Sequence, residues 1–191
     1  EMELQSYVIH RISDFVASKG RKIIGWDEIM QGGLCRDAAV MCWTDEKRGV
    51  EAAENGNEVI MTPYEYMYLD KYQNSHHLEP YAITGHLPFD KVSSFQVPAM
   101  QKMMGVQGNL WTEYIADESH LQYMLLPRMA ALSEVQWCQP ERKDWARFYD
   151  SADEFCAIYD MAGYNYARHI FHTKMFIGTN SEKNCVEVVL S

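Results

Sequence analysis

An α/β architecture with a parallel sheet is predicted by three features of this 191-residue chain. Helical patterns alternate with short strand-like runs, as in repeated β/α units. The runs are apolar throughout rather than alternating, as expected of parallel strands covered on both faces. Three of the four runs lead into a tryptophan, a placement that favours a barrel with a functional rim. Four units make half of a TIM-type (β/α)8 barrel or a small open sheet, and periodicity alone fits both.

The elements follow in order. Leu4, Val8, Ile12, Phe15 and Val16 recur at helical spacing over residues 4–19, and Gly20 supplies a stop just past the helix. Residues 22–26 form the first strand and 38–43 the second. A short helix over 46–55 ends at Gly56, and the third strand, 58–62, ends at Pro63. Residues 64–98, rich in Tyr, His and Pro, are expected to be a long irregular loop, a kind that is usually functional or disordered. Residues 105–111 form the fourth strand. Asp117 or Ser119 caps a helix whose Leu121, Leu125, Met129, Leu132 and Val135 share one face, and Pro127 within it predicts a kink or break. A last amphipathic helix over 143–161 stops near Gly163. The run 185–190 alternates like an edge strand and reads as the start of a further domain. The predicted organisation is therefore 1–170 as one α/β unit and 171–191 as the start of a truncated following domain or tail. The opening Glu1-Met2-Glu3-Leu4 is already in helical pattern, which suggests that more chain lies upstream.

Composition narrows the function classes. Nearly half of the residues (47%) are hydrophobic, enough for a packed core. A net charge of −10 disfavours nucleic acid and anionic membrane surfaces as partners. No apolar run reaches the ~20 residues of a membrane span. The five cysteines show no metal-site spacing and read mostly as buried thiols. His76 and His77 read as solvated or loop-packing groups, and Met103 and Met104 as gap-filling apolar side chains. No phosphate-binding loop, dinucleotide fingerprint, nucleophile elbow or HExxH is present. Neither a cofactor nor a metal is expected.

The candidate site lies where strands end. Trp26, Trp43 and Trp111 finish strands one, two and four, and the third runs into Tyr64, Tyr66, Tyr68 and Asp70. In parallel α/β folds the loops at strand C-termini build the site. Flat aromatic faces suit the C–H surfaces of a pyranose, while carboxylates accept bonds from its hydroxyls. Asp27, Glu28, Asp45, Glu46, Asp70 and Glu113 follow closely. Acids in pairs are what glycoside hydrolysis requires, although acids in loops also cap helices or face solvent.

The segments Gly25-Trp26-Asp27-Glu28-Ile29, Val40-Met41-Cys42-Trp43, Val59-Ile60-Met61-Thr62-Pro63, Tyr68-Leu69-Asp70 and Gly108-Asn109-Leu110-Trp111-Thr112-Glu113 occur in the order found in family 20 β-N-acetylhexosaminidases. Pro127-Arg128-Met129-Ala130-Ala131-Leu132-Ser133-Glu134 resembles the helix after their last strand. The resemblance covers about residues 5–169. It implies strands five to eight of a (β/α)8 barrel, with Trp26, Trp43 and Trp111 walling the subsite for a terminal N-acetylhexosamine. It also implies that Tyr68 bonds the acetamido carbonyl, and that Asp70 and Glu113 hold sugar hydroxyls.

Members of that family are retaining enzymes in which the substrate's own 2-acetamido oxygen attacks the anomeric carbon. Their Asp-Glu pair, which orients the acetamide and protonates the leaving oxygen, stands in a His-x-Gly-Gly-Asp-Glu context that nothing here matches. Asp27-Glu28 follows a tryptophan on strand five instead. The family's sugar-gripping arginine, near strand one, is also missing. The chain is therefore expected to be inactive alone, with N-acetylhexosamine-terminated glycans as partners. A periplasmic or extracellular location follows from the family only. A half barrel would bare two strand edges, so self-association through them is expected. A non-catalytic carbohydrate-binding module is the competing reading.

Overall fold

The computed structural model describes residues 2–74, 79–171, 175–180 and 185–190. Its elements, in chain order, are α1 (Met2–Ser18), β1 (Ile24–Trp26), β2 (Ala39–Cys42), α2 (Glu46–Glu54), β3 (Val59–Met61), α3 (Tyr64–Met67), β4 (Lys71–Tyr72) and β5 (Ile83–His86). There follow α4 (Phe89–Ser94), β6 (Met103–Val106), α5 (Glu118–Leu125), α6 (Arg128–Trp137), α7 (Trp145–Asp150), α8 (Ala152–Ala162), β7 (Met175–Asn180) and β8 (Cys185–Leu190).

Four strands form one sheet in the order β1-β2-β3-β6, every pairing parallel. Parallel neighbours require crossovers, and α2 supplies the one between β2 and β3. Its approach is close. A Cβ on Gly49 would meet the Met61 sulfur at 2.5 Å, so any larger residue there would force the buried Met61 side chain to shift. Val40, Cys42, Val59 and Met61 are fully buried and join Ala52 of α2 with Ala131, Leu132 and Val135 of α6 in the core. A buried Val or Met side chain of this kind contributes roughly 1.5–3 kcal/mol over its exposed state.

The structure revises three of the sequence-based boundaries. The predicted loop 64–98 holds two short helices, α3 and α4, and the paired strands β4 and β5. Its Tyr66, Phe89 and Phe95 pack on the core, which gives the segment a hydrophobic reason to order. The fourth strand begins at Met103 and leaves the sheet after Val106. From there Gln107 N–H still bonds Met61 O at 2.9 Å, and Asn109 then pairs with Tyr68. The predicted last helix is two, α7 and α8, meeting at Ser151. The break at Pro127 is present: α5 ends before the cis Leu126–Pro127 peptide and α6 starts after it.

The segment 185–190 is a strand, paired antiparallel with β7. His76 and His77 lie outside the described residues. Of the cysteines whose side chains are described, Cys35, Cys42 and Cys156 are buried and free, and Cys138 is free and partly covered. Helix α1 is unusual, because most of its apolar stripe faces solvent: Leu4 is 67% exposed and Phe15 64%.

Candidate functional site

Because all four main strands are parallel, their C-terminal ends share one rim, and the predicted aromatic residues meet there. Trp26 closes β1, and Trp43 follows β2 directly. Trp111 lies five residues beyond β6. The departure of that segment from the sheet brings Trp111 to the rim. Leu69 N–H bonds Asn109 O (2.6 Å) and Asn109 N–H bonds Met67 O (2.7 Å), so the Tyr68 and Trp111 segments run side by side. The Asn109 amide is anchored below by donating to Thr62 Oγ1 at 2.6 Å. Gly108 makes this approach possible, since a Cβ there would meet Leu132 at 2.9 Å and Leu69 at 3.3 Å.

The rings form a continuous arc. Trp26 and Trp111 have centroids 5.9 Å apart, Trp111 and Tyr68 6.2 Å, and Tyr68 and Trp43 6.2 Å. Tyr64 meets Tyr68 edge-on at 5.2 Å. All of these rings keep some exposure and Trp111 is 40% exposed, so the arc is a partly exposed surface rather than core. Burial pushes the Tyr68 phenol above its ordinary value, with the Trp111 and Asn109 side chains acting in the opposite sense. The phenol therefore keeps its proton at neutral pH and can donate.

The six candidate carboxylates separate into different roles. Asp27 is fully buried and turned inward: Oδ2 accepts from Thr44 N–H (3.0 Å), Thr44 Oγ1 (2.5 Å) and Cys42 Sγ (3.5 Å), with Arg48 Nη1 4.0 Å from Oδ1. Glu28 accepts the Trp43 indole N–H with both oxygens at 3.1 Å. Asp45 caps α2 by accepting from Lys47 N–H at 2.8 Å. Glu46, in the first turn of that helix, is raised above its ordinary value by burial and then by Asp45. Asp27, Glu28 and Asp45 are thus each engaged by neighbouring groups, although Asp27 Oδ1, like Asp70 Oδ1, has no hydrogen-bond partner among the described residues.

Asp70 and Glu113 are different. Asp70 is 5% exposed, and its Oδ1 has no hydrogen-bond partner among the described residues. Burial raises its proton affinity and the charge of Glu113 adds to this, while its own backbone, Arg128 and Lys71 pull it down. Glu113 is exposed on the loop after Trp111. Sequence reasoning missed two supporting residues. Lys71, only 3% exposed, donates to Tyr64 O at 2.8 Å and stands 3.1 Å from the centre of the Tyr64 ring. Arg128 is fully buried and bonds the backbone on both sides of Asp70. Neither pattern carries a sequence signal, because burial of a basic residue contradicts its type. Among the described residues, no group of three or more His, Cys, Asp or Glu side chains is arranged to hold a metal.

Residues 1–140 match the catalytic domain of glycosyl hydrolase family 20. The chain belongs to that family. A β-hexosaminidase of Porphyromonas gingivalis is 39% identical over 174 residues, 87% of this chain and 22% of the relative. A β-N-acetylhexosaminidase of Cellulomonas fimi is 32% identical over 161 residues, 79% of this chain and 32% of the relative. The family 20 chain thus spans a third or less of the length of these curated relatives.

Among solved structures, the exo β-N-acetylglucosaminidase of Vibrio harveyi in complex with N-acetylglucosamine superposes with a TM-score of 0.80 at 26% identity, over 87% of this chain and 28% of that one. The hexosaminidase of Streptomyces plicatus superposes with a TM-score of 0.75 over 85% of this chain and 35% of that one. At 23% identity it supports the fold alone. The fold of the family 20 chain is thus α/β of the TIM-barrel type. No helix of the described residues is long and apolar enough to cross a membrane.

Proposed function

We propose that this chain supplies strands five to eight of a family 20 barrel and, with them, the sugar-binding wall of an exo-acting β-N-acetylhexosaminidase. The observation that carries this reading is the convergence of Trp26, Trp43, Tyr68 and Trp111 at one rim. In it, residues 1–170 form the C-terminal half of the catalytic barrel, and 171–191 begin a following domain or tail. The substrate is a glycan ending in N-acetylglucosamine or N-acetylgalactosamine, and the relative from Vibrio harveyi, bound to N-acetylglucosamine, supports that choice. The location proposed is periplasmic or extracellular, on the habit of the family.

The arc works by enclosure and bonding. Trp26, Trp43 and Trp111 cover the apolar faces of the pyranose and exclude water. Tyr68, its proton retained, donates to the acetamido carbonyl and holds the 2-acetamido oxygen against the anomeric carbon. That oxygen forms the new bond as the glycosidic C–O bond breaks. The leaving oxygen takes its proton from an acid supplied outside this chain, and water then opens the oxazolinium-like intermediate with retention. Asp70 and Glu113 accept bonds from ring hydroxyls. Asp27 and Glu28 do no proton transfer, being committed to Thr44 and Trp43.

The test is hydrolysis of a chromogenic N-acetyl-β-glucosaminide. The 191-residue chain is compared with one extended upstream to include the family's His-x-Gly-Gly-Asp-Glu segment. Turnover is expected only in the extended chain. Turnover by the short chain would overturn the placement of the acid, and silence in both would move the reading to a carbohydrate-binding module.

A further inference from the structure

Among the described residues, Arg128 is the largest side chain wholly removed from solvent. Burying a guanidinium is costly unless its donors are used, and here they are. Nε and Nη2 donate to Met124 O (3.2 and 2.6 Å), Nη1 to Lys71 O (3.0 Å) and Leu87 O (2.9 Å), and Nη2 to Leu69 O (2.5 Å). Leu69 and Lys71 are the two neighbours of Asp70, and Leu87 follows β5, the strand paired with β4. One planar fork therefore joins the start of α6 and the end of α5 to the segment carrying Tyr68 and Asp70.

The carboxylate that acts on it most strongly through charge is Glu79, whose side chain is 1% exposed, lies 3.8 Å from His169 Nδ1 and accepts from Gln73 N–H (2.7 Å) and Tyr123 OH (3.2 Å). Burial pulls the guanidinium down to about 9, with Glu79 the largest opposing influence, so it stays charged at neutral pH.

We propose that Arg128 is a positioning residue for sugar recognition, clamping the backbone on both sides of Asp70 and so fixing in place the carboxylate that accepts from a sugar hydroxyl. The proposal rests on the reading of Asp70 as a hydroxyl acceptor. Geometry favours arginine, because a lysine has three donors on one point and cannot reach carbonyls spread around a plane. The charge acts in the same direction. Asp70 faces burial and Glu113, which favour the neutral acid, and Arg128 and Lys71, which favour the carboxylate. The carboxylate is the stronger acceptor, since its charge strengthens each bond from a hydroxyl. Affinity therefore falls as pH drops through the raised Asp70 value, and weakening Arg128 moves that fall to higher pH.

The experiment is a titration of the 191-residue chain with N-acetylglucosamine, followed by tryptophan fluorescence from about pH 4 to about pH 8. Arg128→Lys, Asp70→Asn and the double variant are compared, with near-ultraviolet circular dichroism as the check on folding. Arg128→Lys is expected to weaken binding about tenfold, to move its loss to higher pH, and to add nothing once Asp70 is Asn. Unchanged affinity and pH dependence in Arg128→Lys, or losses that simply add, would overturn the clamp. If Arg128→Lys does not fold, Arg128→Gln combined with Glu79→Gln, which leaves neither of these two buried charges unpaired, tests the same link. Without the guanidinium that favours the Asp70 carboxylate, the loss of binding should move to higher pH, whereas no movement refutes it. No binding by the unaltered chain, or none of the expected weakening in Asp70→Asn, would overturn the sugar-acceptor reading and the clamp with it.

Discussion

Adjacent acids in one tripeptide, Trp26-Asp27-Glu28, illustrate how much a local pattern leaves open. By type and spacing they resemble a catalytic pair. In the structure each fastens a neighbouring part of the rim: Asp27 holds Thr44, and Glu28 holds the indole of Trp43. Removing the fully buried Asp27 carboxylate takes away the acceptor of Thr44 N–H, Thr44 Oγ1 and Cys42 Sγ and leaves Arg48 without its ion partner. Asp27→Ala should therefore cost about 2–4 kcal/mol in urea unfolding, with the slope unchanged. Asp27→Asn, which keeps one carbonyl acceptor, should cost about half as much. A loss below ~0.5 kcal/mol in Asp27→Ala would mean that other groups replace these bonds. The aromatic members of the site were legible because Trp is unusual at strand ends. The duties of Asp27, Lys71 and Arg128 were not, since they depend on which chemically ordinary residues the fold buries.

Helix and strand limits were legible to the degree that a backbone-restricting residue marks them. Pro127 predicts the division between α5 and α6, and Gly56 and Gly163 mark the close of α2 and α8. Ser151 divides α7 from α8 while keeping nearly helical dihedrals (φ −75°, ψ −7°), so the sequence gives no warning there. Strand β6 was misplaced because Met103 and Met104 are not β-branched, and because residues 107–110 leave the sheet to pair with the Tyr68 segment.

Of the two caps proposed for α5, the structure selects Asp117, whose Oδ1 accepts from His120 N–H at 2.8 Å. The Ser119 hydroxyl instead meets Asn165 Nδ2 at 3.1 Å. Asp117→Ala should thus cost about 1 kcal/mol and Ser119→Ala a few tenths, both read from the urea midpoint. A larger loss for Ser119→Ala would reverse the assignment.

The parallel sheet and the aromatic rim at its strand ends were legible from four repeated units, but the outward face of α1 was not. A helix with Leu4, Val8, Ile12 and Phe15 on one side is ordinarily expected to bury that side. Here Leu4 is 67%, Val8 45%, Ile12 48% and Phe15 64% exposed, and β1 and β6 are the two edges of the main sheet. Contiguous apolar surface and unpaired edges both favour association, whereas a net charge of −10 opposes it by repulsion between copies. At moderate salt, where the Debye length is about 10 Å or less, screening removes much of that repulsion. The 191-residue chain should therefore sediment as a concentration-dependent mixture of monomer and larger species, with association rising as salt is added. Leu4→Glu with Phe15→Glu, which places charge on the stripe without touching the rim, should return it toward monomer. A chain extended upstream, as in the test of activity, should associate less if the added strands cover the same surfaces. A monodisperse monomer for the short chain at every salt concentration would count against the exposed stripe and edges as adhesive surfaces, and with them against the half-barrel reading.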